Sequence, residues 1–89
     1  MTDDAFKLKQ RESLRGARVV VVGLGKSGVA AAALCARAGA NVIAIDGQPL
    51  GRLSSEAHAL VSLGVELRGG GLEPFDYANS QLVIVSPGV

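Results

Sequence analysis

Residues 19–28 read Val-Val-Val-Val-Gly-Leu-Gly-Lys-Ser-Gly, and this stretch decides the fold. The unbroken run of valines predicts a strand over 18–22 that is buried on both faces. The glycines follow with the spacing Gly-x-Gly-x-x-Gly, and the Ala-rich sequence after them predicts a helix over 26–38. A parallel strand that turns through glycines into a helix can hold a diphosphate at the positive end of that helix. The stretch therefore predicts a nucleotide-binding site.

Each residue of this loop has a distinct expected role. Gly23 permits the tight turn out of the strand, Gly25 lets the backbone approach a phosphate, and Gly28 lets the helix pack closely on the sheet. Lys26 can add positive charge and Ser27 a hydroxyl donor beside the free N–H groups of the helix start. A P-loop is excluded, because that motif would need a glycine at residue 20, which is a valine.

Working outward, the periodicity predicts a Rossmann-like α/β domain. We expect further strands over 42–46, 65–68 and 82–85, with a turn at 47–51 and a second helix from Ser54 or Ser55 to Leu63. The apolar positions of that helix are Ala57, Leu60, Val61 and Leu63. A loop at 69–71 and a connection over 72–80 complete the pattern. Right-handed crossovers then give about four parallel strands in the order 3-2-1-4, with the short third strand at an edge. We expect a lead-in over 1–16 and the domain over 17–89, as a truncated fragment because no helix pattern follows the last strand.

Composition narrows the functional classes. The formal net charge of +1 implies no strong attraction to nucleic acid, and no apolar run reaches membrane-spanning length. The single Cys35 lies in the Ala-rich helix, where we expect a small core residue in a cytoplasmic protein. There are no paired carboxylates, no metal-ligand spacing and no Cys/His pair. We therefore expect no catalytic residue and no metal site.

Asp46 closes the second strand, 23 residues after Gly23. A Rossmann-type acid at this distance accepts hydrogen bonds from a ribose diol. The alternative is a solvated acid at a strand end or a helix cap. His58 falls in a polar part of the second helix, where we expect an exposed side chain.

Three segments together resemble a known family. Leu14-Arg15-Gly16 leads into the glycine loop, Asp46 follows the second strand, and residues 82–89 read Leu-Val-Ile-Val-Ser-Pro-Gly-Val. Over about residues 13–89 the chain resembles the N-terminal domain of the Mur ligases, and among them the members that add D-glutamate to a peptidoglycan precursor. The resemblance implies a domain that binds the UDP part of UDP-N-acetylmuramoyl-L-alanine. It also implies a parent enzyme whose central and C-terminal domains use ATP and Mg²⁺, while this fragment alone holds no cofactor and is inactive.

The resemblance also assigns residues to parts of the substrate. It assigns the diphosphate to the glycine loop, with Gly23, Gly25, Lys26, Ser27 and Gly28. It assigns the uracil and ribose to the end of the second strand, with Asp46, Gly47 and Gln48. It assigns the sugar end to the turn after the fourth strand, with Ser86, Pro87 and Gly88. Gln48 stands where some members carry an arginine, which Arg52 could replace.

Two other interpretations remain open on the residues alone. The glycine loop and Asp46 fit an NAD(H)-binding domain of a dehydrogenase or a regulatory sensor module equally well. The Ser86-Pro87-Gly88 turn favours a sugar-phosphate ligand, although NAD domains can also carry it. A structural half that binds nothing is the third interpretation.

Overall fold

The computed structural model describes residues 14–70 and 80–86. In these ranges the elements are β1 (Arg18–Val22), α1 (Lys26–Arg37), β2 (Asn41–Ile45), a 3₁₀ turn (Leu50–Arg52), α2 (Ser55–Ala59) with a 3₁₀ extension (Leu60–Leu63), β3 (Glu66–Arg68) and β4 (Leu82–Val85). The predicted elements are confirmed to within one or two residues, except that the turn at 47–51 contains a short helix. The lead-in up to residue 13 and most of the connection over 72–80 lie outside the described residues. No helix in the described ranges is long and apolar enough to cross a membrane.

The four described strands form one parallel sheet in the order β3-β2-β1-β4. This confirms the α/β class and the predicted order 3-2-1-4, with β3 at an edge. The register pairs Val22 at the end of β1 with Ile45 of β2 on one side and with Val85 of β4 on the other. The carboxyl ends of these three strands therefore meet at one edge of the sheet, where ligands bind in open α/β sheets.

The core lies mainly between the sheet and the two helices. Val19, Val20 and Val21 are each at most 1% exposed, so both faces of β1 are covered, as the unbroken valine run predicted. One side of the sheet and the facing helices share a buried cluster, which includes Val19, Val21, Leu24, Ala32, Cys35, Val42, Ala44, Ala57, Leu60 and Val65. Small residues on the helices allow this close helix–sheet packing.

Helix α1 buries its small residues at a spacing of three and four. Gly28, Ala32 and Cys35 are buried along one line of the helix, whereas Ala31 is only half-buried. Cys35 is the small core residue that we expected, and burial raises the pKa of its thiol. Gly39, with φ +93°, ends the helix in the left-handed conformation that glycine adopts most readily.

Helix α2 differs from its prediction. Ser54 caps it by accepting a hydrogen bond from the Ala57 N–H at 3.1 Å, and the last turn tightens into 3₁₀ geometry before Gly64. A 3₁₀ turn aligns residues three apart rather than four, so Ala57 and Leu60 are buried while Val61 turns away and is 58% exposed. Leu63, at the end of the turn, is 38% exposed. Of the four apolar positions of this helix, only Ala57 and Leu60 therefore join the core. The exposed side chain expected for His58 is confirmed.

Candidate functional site

The glycine loop joins the end of β1 to the start of α1. Gly23 has φ +93° and donates its N–H to the Ile45 carbonyl at 2.7 Å, which turns the chain sharply away from the sheet. Leu24 is buried beneath the loop. Gly25 is exposed, and a Cβ placed on it would meet no atom within 4 Å. The space above the Gly25 backbone is therefore open.

The start of α1 is left open for an anion. Gly25 occupies the N-cap position, no side chain caps the helix, and its first turn contains no acidic residue. The first backbone N–H bonded within the helix is that of Val29, which donates to the Gly25 carbonyl at 2.9 Å. The N–H groups of Lys26, Ser27 and Gly28 precede it and have no acceptor within the helix. Their partial positive charge, with the exposed Lys26 beside them, makes this helix start suited to a phosphate.

Gly28 serves close packing, but its contact is with the loop rather than with a strand. A Cβ on Gly28 would lie 1.8 Å from the Gly23 carbonyl oxygen and 3.4 Å from the Ser86 Cβ. Only glycine allows the first turn of α1 to approach the loop this closely. The first and third glycines of the motif therefore fix each other's position.

The site lies at the point where the strand order reverses. Strands β2 and β4 flank β1, so the carboxyl edge beside β1 and β4 is the switch point at which open α/β sheets bind ligands. Ser27 and Ser86 meet there, with their hydroxyl oxygens 3.4 Å apart, and Ser86 is only 5% exposed. The structure thus brings the α1 start and the end of β4 together. Pro87 and Gly88 lie outside the described residues.

Both carboxylate oxygens of Asp46 accept hydrogen bonds from backbone N–H groups of the protein. Its Oδ2 accepts the Leu24 N–H at 2.7 Å and its Oδ1 accepts the Gln48 N–H at 2.8 Å. Gly47 and Gln48 are exposed beside it. The bond from Gln48 closes a local turn of the kind that an Asp side chain commonly forms with the backbone two residues on. The bond from Leu24 spans 22 residues, and no local sequence signal predicts it.

The structure adds a cleft that the sequence did not reveal. An open cavity of about 610 Å³ lies beside the glycine loop, and its lining comprises Leu24, Gly25, Lys26, Val29, Ala30, Ser54 and Glu56. Ser54 and Glu56 belong to the start of α2, and they reach this place because α1 and α2 lie side by side on the sheet. No motif marks them as site residues.

Comparison with known proteins identifies the family. A model of the MurD-like N-terminal domain of Mur ligases matches residues 17–89. The chain belongs to this MurD-like domain family.

Relatives of the MurD-like domain carry a consistent name. A UDP-N-acetylmuramoylalanine–D-glutamate ligase of Anaeromyxobacter dehalogenans is 49% identical over 76 residues, which is 85% of this chain. The protein of the same name from Acidobacterium capsulatum is 42% identical over 76 residues, also 85% of this chain. The chain spans about 16% of the length of each of these relatives.

A solved structure confirms the fold class of the MurD-like domain. A chain in the crystal structure of the covalent putidaredoxin reductase–putidaredoxin complex superimposes with a TM-score of 0.64 at 23% identity. The match covers 97% of this chain and 27% of that one. At this identity the similarity concerns the fold alone.

Proposed function

We propose that the chain binds the UDP part of UDP-N-acetylmuramoyl-L-alanine, within a cytoplasmic ATP-dependent ligase that adds D-glutamate to this precursor in peptidoglycan synthesis. The observation that carries the proposal is the uncapped start of α1, reached through the open loop at Gly25, in a chain of the MurD-like family. A diphosphate is the part of the substrate that best matches such a helix start.

The diphosphate is held by backbone groups first. The N–H groups of Lys26 and Ser27 donate to its oxygens, the Ser27 hydroxyl adds a donor, and the Lys26 ammonium adds charge. The absence of an acidic residue from the first turn of α1 leaves this attraction unopposed within the helix. Gly25 contributes by having no side chain where the phosphate approaches.

The two ends of the substrate lie on either side of the diphosphate. The nucleoside lies towards Asp46, Gly47 and Gln48 at the end of β2, and the muramoyl sugar lies towards residues 86–88, which follow β4. Neighbouring strand ends hold both groups, because β2 and β4 flank β1. The substrate therefore crosses the carboxyl edge of the sheet from β2 to β4.

In the reaction, these residues anchor the substrate and perform no bond-making step. ATP transfers its γ-phosphoryl group to the alanine carboxylate and leaves as ADP; the amine of D-glutamate then attacks the acyl phosphate, which forms the amide and releases phosphate. The glycine loop does not suit ATP as a P-loop would, because the residue that should be its first glycine is Val20, which is buried in β1. Among the described residues, no cluster of His, Cys, Asp or Glu side chains could hold a metal ion. We place the ATP and Mg²⁺ sites in other domains of the longer ligase, and we expect the 89-residue chain alone to be inactive.

The direct test is to titrate the ¹⁵N-labelled chain with UDP, UDP-N-acetylmuramoyl-L-alanine and NAD. We expect the largest amide shifts at residues 23–28 and 46–48, and tighter binding of the uridine ligands than of NAD. NAD binding at least as tight as UDP binding would contradict the proposal and favour a dinucleotide site.

A matched pair of variants shows whether the anion lies at the start of α1. Lys26→Ala and Arg37→Ala each remove one positive charge from α1, but at opposite ends of the helix. Since an exposed ion pair contributes about 0.5–1 kcal/mol, Lys26→Ala should raise the Kd for UDP about two- to fivefold. Arg37→Ala should leave the Kd unchanged, and an equal effect of both variants would refute this placement.

A further inference from the structure

Asp46 joins three segments at the carboxyl edge of the sheet. Its carboxylate accepts the Leu24 N–H of the glycine loop and the Gln48 N–H of the loop after β2, at 2.7 and 2.8 Å. Its backbone N–H donates to the Arg68 carbonyl at the end of β3, at 2.9 Å. Both carboxylate oxygens therefore make hydrogen bonds within the protein. The two side-chain bonds are here called the Asp46 bridge.

The far end of this bridge is itself held firmly. The Gln48 carbonyl accepts the Gly70 N–H at 2.8 Å, so the backbone of Gln48 is bonded on both sides. Gly69 lies so close that a Cβ on it would be 2.6 Å from the Gln48 carbonyl oxygen. The loop after β2 is thus packed against the end of β3. It gives the Asp46 carboxylate a fixed position from which to hold Leu24.

At the other end of the Asp46 bridge, the glycine loop needs a contact that restricts its backbone. Leu24 lies between Gly23 and Gly25, the two residues of the loop with the most backbone freedom. No side chain caps α1, so the loop conformation decides where the N–H groups of the helix start point. Holding the Leu24 N–H fixes this loop directly before the helix begins.

We propose that Asp46 is a positioning residue for the diphosphate: the Asp46 bridge holds the glycine loop in its anion-binding conformation. This inference rests on the proposed diphosphate site and adds to it. It differs from a nucleoside contact at Asp46, because it makes the residue necessary for ligands that have no nucleoside.

The sign of the effect distinguishes the bridge from a simple nearby charge. A carboxylate close to a bound anion repels it, so removing that charge should tighten anion binding if charge were all that mattered. Removing the bridge should instead weaken anion binding, because the loop loses the conformation that aims its N–H groups. A nucleoside contact predicts a third pattern, in which UDP binding weakens and pyrophosphate binding does not.

The experiment measures the binding of UDP and of inorganic pyrophosphate to wild type, Asp46→Ala, Asp46→Asn and Glu66→Ala by NMR titration. Glu66→Ala is the control: it also truncates an acidic side chain, but on β3, where Glu66 pairs with Arg68. We expect Asp46→Ala to weaken both ligands about tenfold, as the loss of a charge-assisted hydrogen bond implies. The control should bind both ligands as wild type does. Unchanged or tighter pyrophosphate binding by Asp46→Ala overturns the inference while leaving a UDP site in place.

The amide spectrum provides a readout that a general loss of stability would not reproduce. In wild type, the Leu24 and Gln48 amide protons should be shifted downfield and protected from exchange. Asp46→Asn keeps one acceptor oxygen, so one of the two signals should keep its shift, whereas Asp46→Ala should lose both. A wild-type Leu24 amide that exchanges as fast as the Lys26 amide overturns the inference even if both variants fail to fold. Wild type that binds UDP but not pyrophosphate also overturns it, and wild type that binds neither refutes the proposed function itself.

Discussion

Gly28 and Gly25 belong to one motif, yet the structure predicts opposite results when each becomes alanine. A Cβ on Gly28 would lie 1.8 Å from the Gly23 carbonyl oxygen, whereas about 3.0 Å is the closest such approach, so the first turn of α1 must move by about 1.2 Å (3.0 − 1.8). Both atoms are held by the backbone, and no side-chain rotation can relieve the overlap. The same alanine on Gly25 would meet nothing within 4 Å, at a φ of −72° that alanine adopts freely.

The magnitudes follow from two opposing terms. Overpacking costs about 1–3 kcal/mol. We take the upper part of that range because the carbonyl oxygen that the new Cβ meets belongs to the backbone and cannot rotate away. The better helix propensity of alanine offsets about 1 kcal/mol of this overpacking cost, so Gly28→Ala should lower the free energy of unfolding by about 1–2 kcal/mol. For a domain of this size the melting temperature should fall by about 4–16 °C. For Gly25→Ala, the poorer N-cap and the reduced entropy of the unfolded chain roughly cancel, leaving a change within about 0.5 kcal/mol.

Thermal and urea unfolding followed by circular dichroism measures both changes, and a UDP titration completes the comparison. Gly25→Ala should keep the wild-type melting temperature but bind UDP more weakly, because its Cβ occupies the open approach to the helix start. Gly28→Ala should melt early. Equal stability of wild type and Gly28→Ala would refute the packing argument. A large stability loss in Gly25→Ala would refute the assignment of that glycine to binding.

Three further predictions concern single side chains. Ser27→Ala should weaken UDP binding by about 0.5–1.5 kcal/mol, the usual contribution of one hydrogen bond; calorimetry measures this, and unchanged affinity would show that the hydroxyl does not contact the ligand. Ser54→Ala should lower the free energy of unfolding by about 1 kcal/mol through loss of the α2 cap. Ser55→Ala removes an exposed hydroxyl and its 3.4 Å hydrogen bond to Glu56, and it should change that free energy by less than about 0.5 kcal/mol; urea denaturation separates the two. Burial and a raised pKa should keep Cys35 nearly inert towards a thiol reagent in the native protein and reactive in urea; rapid native labelling would contradict its place in the core.

The sequence predicted the sheet because its signals there are local. The unbroken valines of 19–22 indicate a strand covered on both faces, and Gly39 and Gly64 end their helices at positive φ. The order of the strands followed from right-handed crossovers, and this handedness is set by the twist of the strands rather than by particular side chains. Helix α2 was harder to predict, because the face it buries depends on where α geometry tightens to 3₁₀, and no residue before Gly64 signals that change.

The candidate site could be predicted only in part, for the same physical reason. The open helix start follows from the glycine spacing, which is local. The cleft wall formed by Ser54 and Glu56 depends on how α1 and α2 pack side by side, and the Asp46 bridge depends on the pairing of distant strands. Neither arrangement has a local signal.

The register of the sheet explains how the bridge forms. Val22 pairs with Ile45, and the Gly23 N–H continues that ladder by donating to the Ile45 carbonyl at 2.7 Å. Asp46 is therefore the first residue after β2, and it lies beside the glycine loop at the carboxyl edge of the sheet. A shift of one residue would turn its side chain to the other face of the sheet, away from the Leu24 N–H. The pairing of β1 with β2 thus sets the alignment that lets a carboxylate 22 residues away hold the glycine loop. In this domain the packing of the core and the geometry of the proposed anion site are consequences of the same strand pairing.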